Sequence, residues 1–198
     1  MISILAEHPD VLVVDKPAGQ ATIPERTGEA ESVVDALRRE RGEALWVVHR
    51  LDREVSGVLL FARTADAHRA LSIAFEKRGV DKTYEALTEG TASRGATFRW
   101  ENLLLRGKKR AYVSPHGKSA ITEAEVIGVG PLRWRVRPLT GRNHQIRVHL
   151  AGAGFPILGD ALYGSTTAWA SGIALRAVRL SIPAIGDAPA RVFEAPGP

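Results

Sequence analysis

The segment "HRLDREVSG", His49 to Gly57, places an aspartate directly behind a histidine and an arginine. The chemistry of Asp52 alone leaves two interpretations open. A carboxylate beside a guanidinium usually forms a surface ion pair or caps a loop, and such pairs contribute little stability. A carboxylate in a cleft can instead act as a covalent catalyst, since it can attack and then leave again. Glu54 would lie about 6–7 Å away on an extended segment, which is a weak match to the paired carboxylates of a glycosidase.

A second group of polar side chains falls within ten residues, at Arg142, His144, Gln145, Arg147 and His149. The two histidines are five residues apart, and not the four that place two metal ligands on one helical turn. The later segment "GAGFPILG" lacks the third glycine of a dinucleotide-binding loop and does not follow a predicted strand. The sequence therefore predicts no metal site and no bound cofactor.

The composition favours a polyanionic partner. The chain has 198 residues, a formal net charge of +5 and a pI of about 9.9. Basic residues concentrate in "RGKKR", Arg106 to Arg110, which includes Lys108 and Lys109. Such a run is typical of a solvated hairpin tip, and the overall basicity favours a role in binding nucleic acid. The absence of cysteine excludes a disulfide framework and thiolate metal sites, and no apolar stretch approaches the ~18 residues of a membrane span.

Strand patterns outnumber helix patterns along the chain. Short β-rich runs bounded by Gly or Pro predict strands in "VLVVDKP", "SGVLLFAR", "KTYEALTEG", "ITEAEVIGV" and "RWRVRPL". In the last of these, the arginines alternate with Trp134 and Val136, as a half-buried strand requires. Strands joined by short connections, with a few helices inserted, predict an α+β domain built on a largely antiparallel sheet.

Three helices are predicted among these strands. "SVVDALRRERG" begins at a Ser32 cap and stops at Gly42, while "TADAHRALSIAFEKRG" has helical spacing and Gly79 as its stop. The third helix runs from about 143 to 150. No linker divides the chain, so we predict one domain over residues 1–198, with a loosely held tail from about Ile185 that is rich in Pro, Gly and Ala.

Five ordered segments together resemble the RluA-type family of pseudouridine synthases. They are "DVLVVDKPAG", "HRLDREVSG", "DKTYEALTEG", "GKSAITEAEVI" and "TGRNHQIRVHLAGAGFPILGDALYG". The family carries K-P-x-G, H-R-L-D-x-x-T-S-G and G-R-x-H-Q-I-R-x-H segments in this order. The resemblance extends from about Val11 to Leu180, and it implies the pseudouridine synthase fold with an active-site cleft across the sheet.

The resemblance also assigns roles to individual residues. It implies that Asp52 is the catalytic aspartate, that Tyr84 stacks on the target base, and that Arg147 pairs with the aspartate. It implies that Arg50 fills the space left by the extruded nucleotide. We expect Arg142, His144, Lys108 and Lys109 to contact RNA, with His144 in a positioning role near the site. The family reaction breaks the C1′–N1 bond of uridine and joins C5 to C1′, which requires no metal, redox step or cofactor.

Two departures from the family pattern concern Val55, where the family has threonine, and Arg176, where many members have histidine. Neither is among the reacting groups, so both bear on the choice of substrate. We expect a compact, monomeric, cytoplasmic enzyme without an N-terminal S4-like domain, acting on ribosomal or transfer RNA and not on membranes. A non-catalytic RNA-binding or chaperone protein on the same fold is the alternative, and a glycosylase that releases free base is a third possibility.

Overall fold

The computed structural model describes residues 2–25 and 30–198. The helices within them are α1 Val33–Arg41, α2 Ala65–Glu76 and α3 Gln145–Gly152. The strands are β1 Ser3–Glu7, β2 Val11–Lys16, β3 Trp46–Val47, β4 Ser56–Ala62, β5 Asp81–Thr88, β6 Thr97–Arg106, β7 Ala111–Val113, β8 Lys118–Val129, β9 Leu132–Pro138, β10 Leu175–Ile182 and β11 Arg191–Glu194. A single 3₁₀ turn spans Ala161–Tyr163. Helices combined with a predominantly antiparallel set of strands confirm the predicted α+β class.

The chain forms two compact units. The first contains the residues up to Asp81 together with Ala177–Gly197, and the second contains Lys82–Arg176. The prediction of one catalytic domain over the whole chain stays a prediction. None of the described helices has both the length and the apolarity needed to cross a membrane.

The first unit is built on strands in the order β1, β2, β4, β10, with β3 added to β4 and β11 added to β10. Strands β2 and β4 are buried almost throughout, in agreement with the apolar runs at residues 11–14 and 58–62 of their sequences. Helix α2 covers one face of them through Ala67 and Leu71. Helix α1 begins and ends as predicted: the Ser32 hydroxyl accepts a hydrogen bond from the Asp35 amide, and Gly42 adopts a left-handed conformation with φ of 66°.

Two local predictions in this unit were wrong. Helix α2 ends at Glu76, and the left-handed residue that follows is Arg78, with φ of 60°, rather than Gly79. The tail after Ile185 is not loosely held, because β11 pairs with β10 and buries Phe193 in the core. Arg191 of β11 also makes a bidentate ion pair with Asp10, which lowers the pKa of that carboxyl chiefly through the hydrogen bond.

The second unit is an antiparallel sheet in the order β5, β9, β8, β6, β7. The predicted alternation in β9 is confirmed, since Trp134 and Val136 are buried while Arg135 and Arg137 are exposed. The Trp134 indole donates a hydrogen bond of 2.8 Å to the Thr88 hydroxyl, which satisfies its only polar atom inside the core. Helix α3 contacts β7, β8 and β9. It begins two residues later and ends two residues later than predicted.

Candidate functional site

Asp52 lies in the first unit, at the start of a tight turn between β3 and β4. The Val55 amide donates a hydrogen bond of 3.1 Å to the Asp52 carbonyl, which closes the turn. The side chain of Asp52 is half-buried. The carboxylate therefore stands on a short backbone turn, and its position depends on what holds the neighbouring backbone.

Lys16 holds the residue that follows the aspartate. Its side chain is fully buried, and its ammonium donates hydrogen bonds to the carbonyls of Pro17 at 2.8 Å, Gln20 at 2.6 Å and Arg53 at 3.1 Å. Three acceptors use all three protons of the ammonium. The Gly19 amide donates to the same Arg53 carbonyl at 2.8 Å. The K-P-x-G segment thus supports the backbone of the aspartate turn.

The charge of Lys16 is also linked to the carboxylates of the turn. Burial lowers the pKa of Lys16 to about 8, and the attraction of Glu54 and Asp52 partly opposes that change. The buried Lys16 ammonium lies beside the aspartate turn, so it contributes both hydrogen bonds and a positive potential there. Lys16 lies within the K-P-x-G motif, but the sequence alone assigns it no role.

Thr22 holds the residue that precedes the aspartate. Its buried hydroxyl donates to the Leu51 carbonyl at 2.9 Å and accepts from the Leu51 amide at 3.2 Å. The backbone on both sides of Asp52 is consequently fixed by the last residue of β2 and by the segment that follows this strand. Two buried side chains, separated by six positions in sequence, clamp one turn.

The other members of the "HRLDREVSG" segment have structural explanations. The His49 Nε2 accepts a hydrogen bond of 3.0 Å from the Leu60 amide, and its ring stacks on Phe75 with centroids 4.8 Å apart. An accepting Nε2 requires that neutral His49 carry its proton on Nδ1. Gly57 has φ of 111°, and a Cβ at this position would lie 2.1 Å from the Ala177 carbonyl oxygen of β10. Only glycine permits that approach.

Val55 and Arg50 of this segment differ in their exposure to solvent. Val55, the departure from the family threonine, is 3% exposed and belongs to the core. Arg50 is exposed, as a residue that enters a nucleic-acid substrate must be. The exposure is compatible with the predicted role of Arg50, which stays a prediction.

Arg147 lies in the second unit, on the first turn of α3. Its guanidinium forms a bidentate ion pair with Asp160, with Nε to Oδ2 at 2.7 Å and Nη2 to Oδ1 at 2.8 Å. The two side chains are 3% and 1% exposed. The Arg147 Cζ also lies 5.0 Å from the centroid of the Tyr163 ring, within the range of a cation–π contact. The pairing of Arg147 with Asp52 that the resemblance implies stays a prediction.

Glu89 anchors the loop that follows Asp160 and Tyr163. The Glu89 Oε1 accepts hydrogen bonds from the Ser165 hydroxyl at 2.8 Å, the Thr166 amide at 2.7 Å and the Thr167 amide at 2.8 Å. These donors, the Ser165 hydroxyl first, lower the pKa of Glu89 to about 2. The turn that carries Asp160 and Tyr163 therefore has a second point of attachment.

Gln145 organises the segment that leads into α3. Its buried amide uses all four hydrogen-bonding positions: Oε1 accepts from the Thr140 hydroxyl at 2.6 Å and the Arg142 amide at 3.0 Å, and Nε2 donates to the Ile121 carbonyl and the Thr122 hydroxyl, both at 2.9 Å. The half-buried Arg142 side chain donates from Nε to the Ser119 carbonyl at 2.9 Å. The dense polar segment is thus largely a framework for α3.

The two histidines of this segment have different surroundings. His144, with φ of 51°, precedes α3, and its Nδ1 lies 2.9 Å from the Tyr163 hydroxyl. His149 is buried, with Nδ1 at 2.8 Å from the Thr122 hydroxyl, and its Nε2 has no hydrogen-bond partner among the described residues. Burial lowers the pKa of His149 to about 4, so this ring is neutral near pH 7.

Tyr84 lies on β5, opposite Val136 of β9, and is half-buried. Lys82 has the same orientation on the strand because the two residues are two positions apart. Burial lowers the pKa of Lys82, and its Nζ lies 3.7 Å from the position that a Cβ of Gly141 would occupy. An aromatic ring and a cation therefore share one face of β5.

Lys108 and Lys109 are exposed at the tip of the hairpin between β6 and β7. The Gly107 amide donates to the Arg110 carbonyl at 2.9 Å and closes the tip. The predicted hairpin tip is confirmed, and we call residues Arg106–Ala111 the basic hairpin. Within residues 2–25 and 30–198, no group of three or more His, Asp or Glu side chains is arranged to hold a metal ion.

The chain matches the family model described as RNA pseudouridylate synthase over residues 10–152. Among curated relatives, the dual-specificity RNA pseudouridine synthase RluA of Yersinia pestis is 36% identical over 191 residues, covering 90% of this chain and 91% of that protein. The ribosomal large subunit pseudouridine synthase C of Escherichia coli is 38% identical over 177 residues, covering 81% of this chain and 53% of the relative. An uncharacterized RNA pseudouridine synthase of Bacillus subtilis is 36% identical, with 58% of its length covered. The chain thus spans little more than half the length of several relatives that it matches.

The solved structures agree with the sequence relatives. The human RNA pseudouridylate synthase domain-containing protein 1 has a TM-score of 0.83 and 25% sequence identity, covering 100% of this chain and 84% of that one. The human RNA pseudouridylate synthase domain-containing protein 4 has a TM-score of 0.79 and 22% sequence identity, covering 99% of this chain and 88% of that one. This second match shows that the two folds are alike. The family model covers more than half of the chain, and the relative from Yersinia is matched over nearly its full length. The chain belongs to the RNA pseudouridylate synthase family and is of the RluA type.

Proposed function

We propose that this chain isomerises a uridine in RNA to pseudouridine, with Asp52 as the catalytic carboxylate. The observation that carries the proposal is the support of the Asp52 turn. Lys16 and Thr22, both buried, fix the backbone after and before the aspartate. A surface ion pair needs no such support, whereas a covalent catalyst must be held within a fraction of an ångström of its productive position.

The remaining roles follow the family motif residue by residue. Tyr84 stacks on the extruded base, which is how proteins hold unstacked RNA bases. Its half-buried position on a strand supports this role because the ring is kept in place by the sheet. Arg147 stabilises the aspartate by charge. The ion pair with Asp160 supports this role, because it holds the Arg147 guanidinium in one orientation.

RNA binding is assigned to basic side chains with suitable exposure. Lys108 and Lys109 neutralise phosphates from the exposed tip of the basic hairpin. Arg142 and His144 contact RNA beside the start of α3, and Arg50 enters the space of the extruded nucleotide. The target is ribosomal or transfer RNA, and the enzyme acts as a monomer in the cytoplasm, where both RNAs are found. The reaction is an isomerisation, so it needs no cofactor.

The decisive experiment uses unmodified transcripts of bacterial large-subunit rRNA and of bulk tRNA, tritiated at uridine C5. Pseudouridine formation replaces the C5 hydrogen, so the expected result is release of tritium to water, with pseudouridine detected in the product by chemical derivatisation. Asp52→Asn should abolish the release and keep RNA affinity within about tenfold. Asp66→Asn, an exposed aspartate in the first turn of α2, is the matched control and should release tritium at the wild-type rate.

Each other outcome identifies a different function. RNA binding without tritium release in the wild type would favour the non-catalytic RNA-binding protein. Free uracil in place of pseudouridine would indicate a glycosylase. Substantial turnover by Asp52→Asn would remove the aspartate from the mechanism even if pseudouridine forms.

A second experiment separates two roles of Tyr84. We expect Tyr84→Phe to keep the stacking face and near-normal RNA affinity but to lose most of its single-turnover rate, because in this proposal the Tyr84 oxygen, as the phenolate, accepts the C5 proton and becomes the hydroxyl. Tyr84→Leu should lose both affinity and rate. Wild-type turnover by Tyr84→Phe would show that the ring alone matters and that the proton leaves by another route.

A further inference from the structure

Tyr163 contacts the guanidinium of Arg147 with its ring. The Arg147 Cζ lies 5.0 Å from the ring centroid, while Asp160 binds two nitrogens of the guanidinium in its own plane. Tyr163 and Asp160 belong to one turn, since the Tyr163 amide donates to the Asp160 carbonyl at 3.0 Å. One short turn therefore supplies both groups that orient the arginine.

The hydroxyl of Tyr163 contacts a different part of the second unit. It accepts from the Ala111 amide at 2.9 Å, donates to the Ala111 carbonyl at 3.1 Å, and lies 2.9 Å from the His144 Nδ1. A phenol has one proton and two lone pairs. With the proton given to the carbonyl and one lone pair used by the amide, the other lone pair accepts from the His144 Nδ1 in the tautomer that carries its proton there.

Ala111 is the last residue of the basic hairpin and the first of β7. It follows directly after the exposed basic tip. Leu104, Ala111 and Ala120 are buried together with Val148, and Tyr163 packs against this cluster. Val148 follows Arg147 on α3, so the hairpin residue Ala111 and the helix that carries the arginine share one packed cluster, with Tyr163 against it.

We infer that Tyr163 is a positioning residue that couples the basic hairpin to Arg147, so that RNA contacts at the hairpin tip improve the placement of the arginine. The inference rests on the proposed function, in which the hairpin binds RNA and Arg147 acts in catalysis. Its basis is one tyrosine with its hydroxyl on the hairpin backbone and its ring on the guanidinium. Binding energy from remote phosphates is then used to orient a group at the reacting centre.

The test is a double-mutant cycle on the single-turnover rate at saturating RNA, measured with the tritiated transcripts above. One change is the double variant Lys108→Ala with Lys109→Ala, and the other is Tyr163→Phe. In the wild-type background we expect the lysine changes to lower the saturated rate by roughly fivefold, in addition to weakening affinity. In the Tyr163→Phe background the same changes should lower it by less than about twofold.

Tyr163→Phe alone should lower the saturated rate by roughly fivefold and leave RNA affinity within about twofold, because the ring and its packing remain. Tyr112→Phe is the matched control, since Tyr112 is an exposed tyrosine of β7 that directly follows the basic hairpin, and this change should alter neither quantity. If Tyr163→Phe does not fold, as judged by circular dichroism, His144→Ala replaces it in the cycle. That change removes one of the three hydroxyl contacts and should reduce the coupling.

Two results would overturn the inference while leaving the proposed function intact. One is an unchanged saturated rate after the lysine changes in the wild-type background, which would limit the hairpin to affinity. The other is an equal effect of the lysine changes in both backgrounds, which would show that Tyr163 acts independently. Absence of tritium release by the wild type would instead contradict the proposed function.

Discussion

The turn that carries Asp52 and the helix turn that carries Arg147 are held in different ways. Around Asp52, buried side chains of Lys16 and Thr22 bind backbone atoms, and the carboxylate itself remains half-buried. Around Arg147, the contacts are made between side chains, and the Arg147 guanidinium is almost completely buried against Asp160. The difference agrees with the roles proposed for the two residues. A nucleophile needs a fixed backbone and an accessible tip, whereas a supporting charge needs a fixed orientation.

The largest expected effect concerns the buried ion pair. Asp160→Ala should reduce the free energy of unfolding by about 3–5 kcal/mol, because it leaves a buried guanidinium without its partner. The measurement is urea denaturation followed by tryptophan fluorescence. The exposed pair of Arg135 and Glu125, at 3.3 Å with side chains 49% and 45% exposed, provides the control. Glu125→Ala should cost less than about 1 kcal/mol, and equal losses in the two variants would contradict the contrast.

A smaller loss of stability is expected at the aspartate turn. Lys16→Met keeps an unbranched side chain of nearly the same length but leaves the Pro17, Gln20 and Arg53 carbonyls without this donor, so unfolding should become easier by about 1–3 kcal/mol at pH 7. The single-turnover rate should fall by more than the fraction unfolded explains, because the turn loses its support. A variant with normal turnover would show that Lys16 is not needed to position Asp52.

The pH dependence of the unfolding free energy should separate the support by Lys16 from the support by Thr22, because a threonine hydroxyl does not titrate in this range. The pKa of Lys16 falls from 10.5 to about 8 on burial, so between these values the unfolded chain binds more protons than the folded one. Stability then rises with pH across this window, with a limiting slope of about 1.4 kcal/mol per unit. The difference in unfolding free energy between wild type and Lys16→Met should increase from pH 8 to 10. A flat difference would show that the ammonium is not desolvated in the folded state.

The smallest effect is expected on the salt dependence of RNA binding. Replacing Lys108 and Lys109 together should reduce the log–log slope on single-stranded RNA by about 1.4, since each phosphate contact contributes about 0.7. Arg50→Ala should change the slope by no more than one contact but should slow base extrusion. Fluorescence anisotropy at several salt concentrations measures the slopes. Equal reductions of the salt slope in the two variants would contradict the prediction that the basic hairpin contributes more phosphate contacts than Arg50 does.

Local patterns were sufficient for much of the fold. The alternation of Trp134 and Val136 with arginines predicted β9 because successive side chains on a strand point to opposite faces. The limits of α1 followed from Ser32 and Gly42 because capping depends on atoms within a few residues. The same local logic was wrong for α2, where Arg78 instead of Gly79 takes the left-handed conformation. It was also wrong for the tail, where pairing with β10 outweighs a composition typical of loops.

The candidate site shows the same division. Ordered motifs identified the family, because residue types at fixed spacing are properties of the chain itself. The roles that the resemblance assigns to Asp52, Tyr84 and Arg147 stay predictions. Lys16, Asp160 and Tyr163 received no role from the sequence, although all three lie inside the matched segments. A lysine after an apolar strand, and an aspartate and tyrosine in a glycine-rich stretch, have many common structural roles.

The sequence by itself determined the secondary-structure pattern, the family and the order of the motifs, since these depend on neighbouring residues and on spacing. Only the tertiary structure decided which atoms support the reactive groups. Lys16 reaches the Arg53 carbonyl across 37 positions, and Tyr163 reaches Ala111 across 52. Such contacts arise from the packing of strands that are distant in the chain, and the stability of each buried charge depends on the partners that this packing supplies.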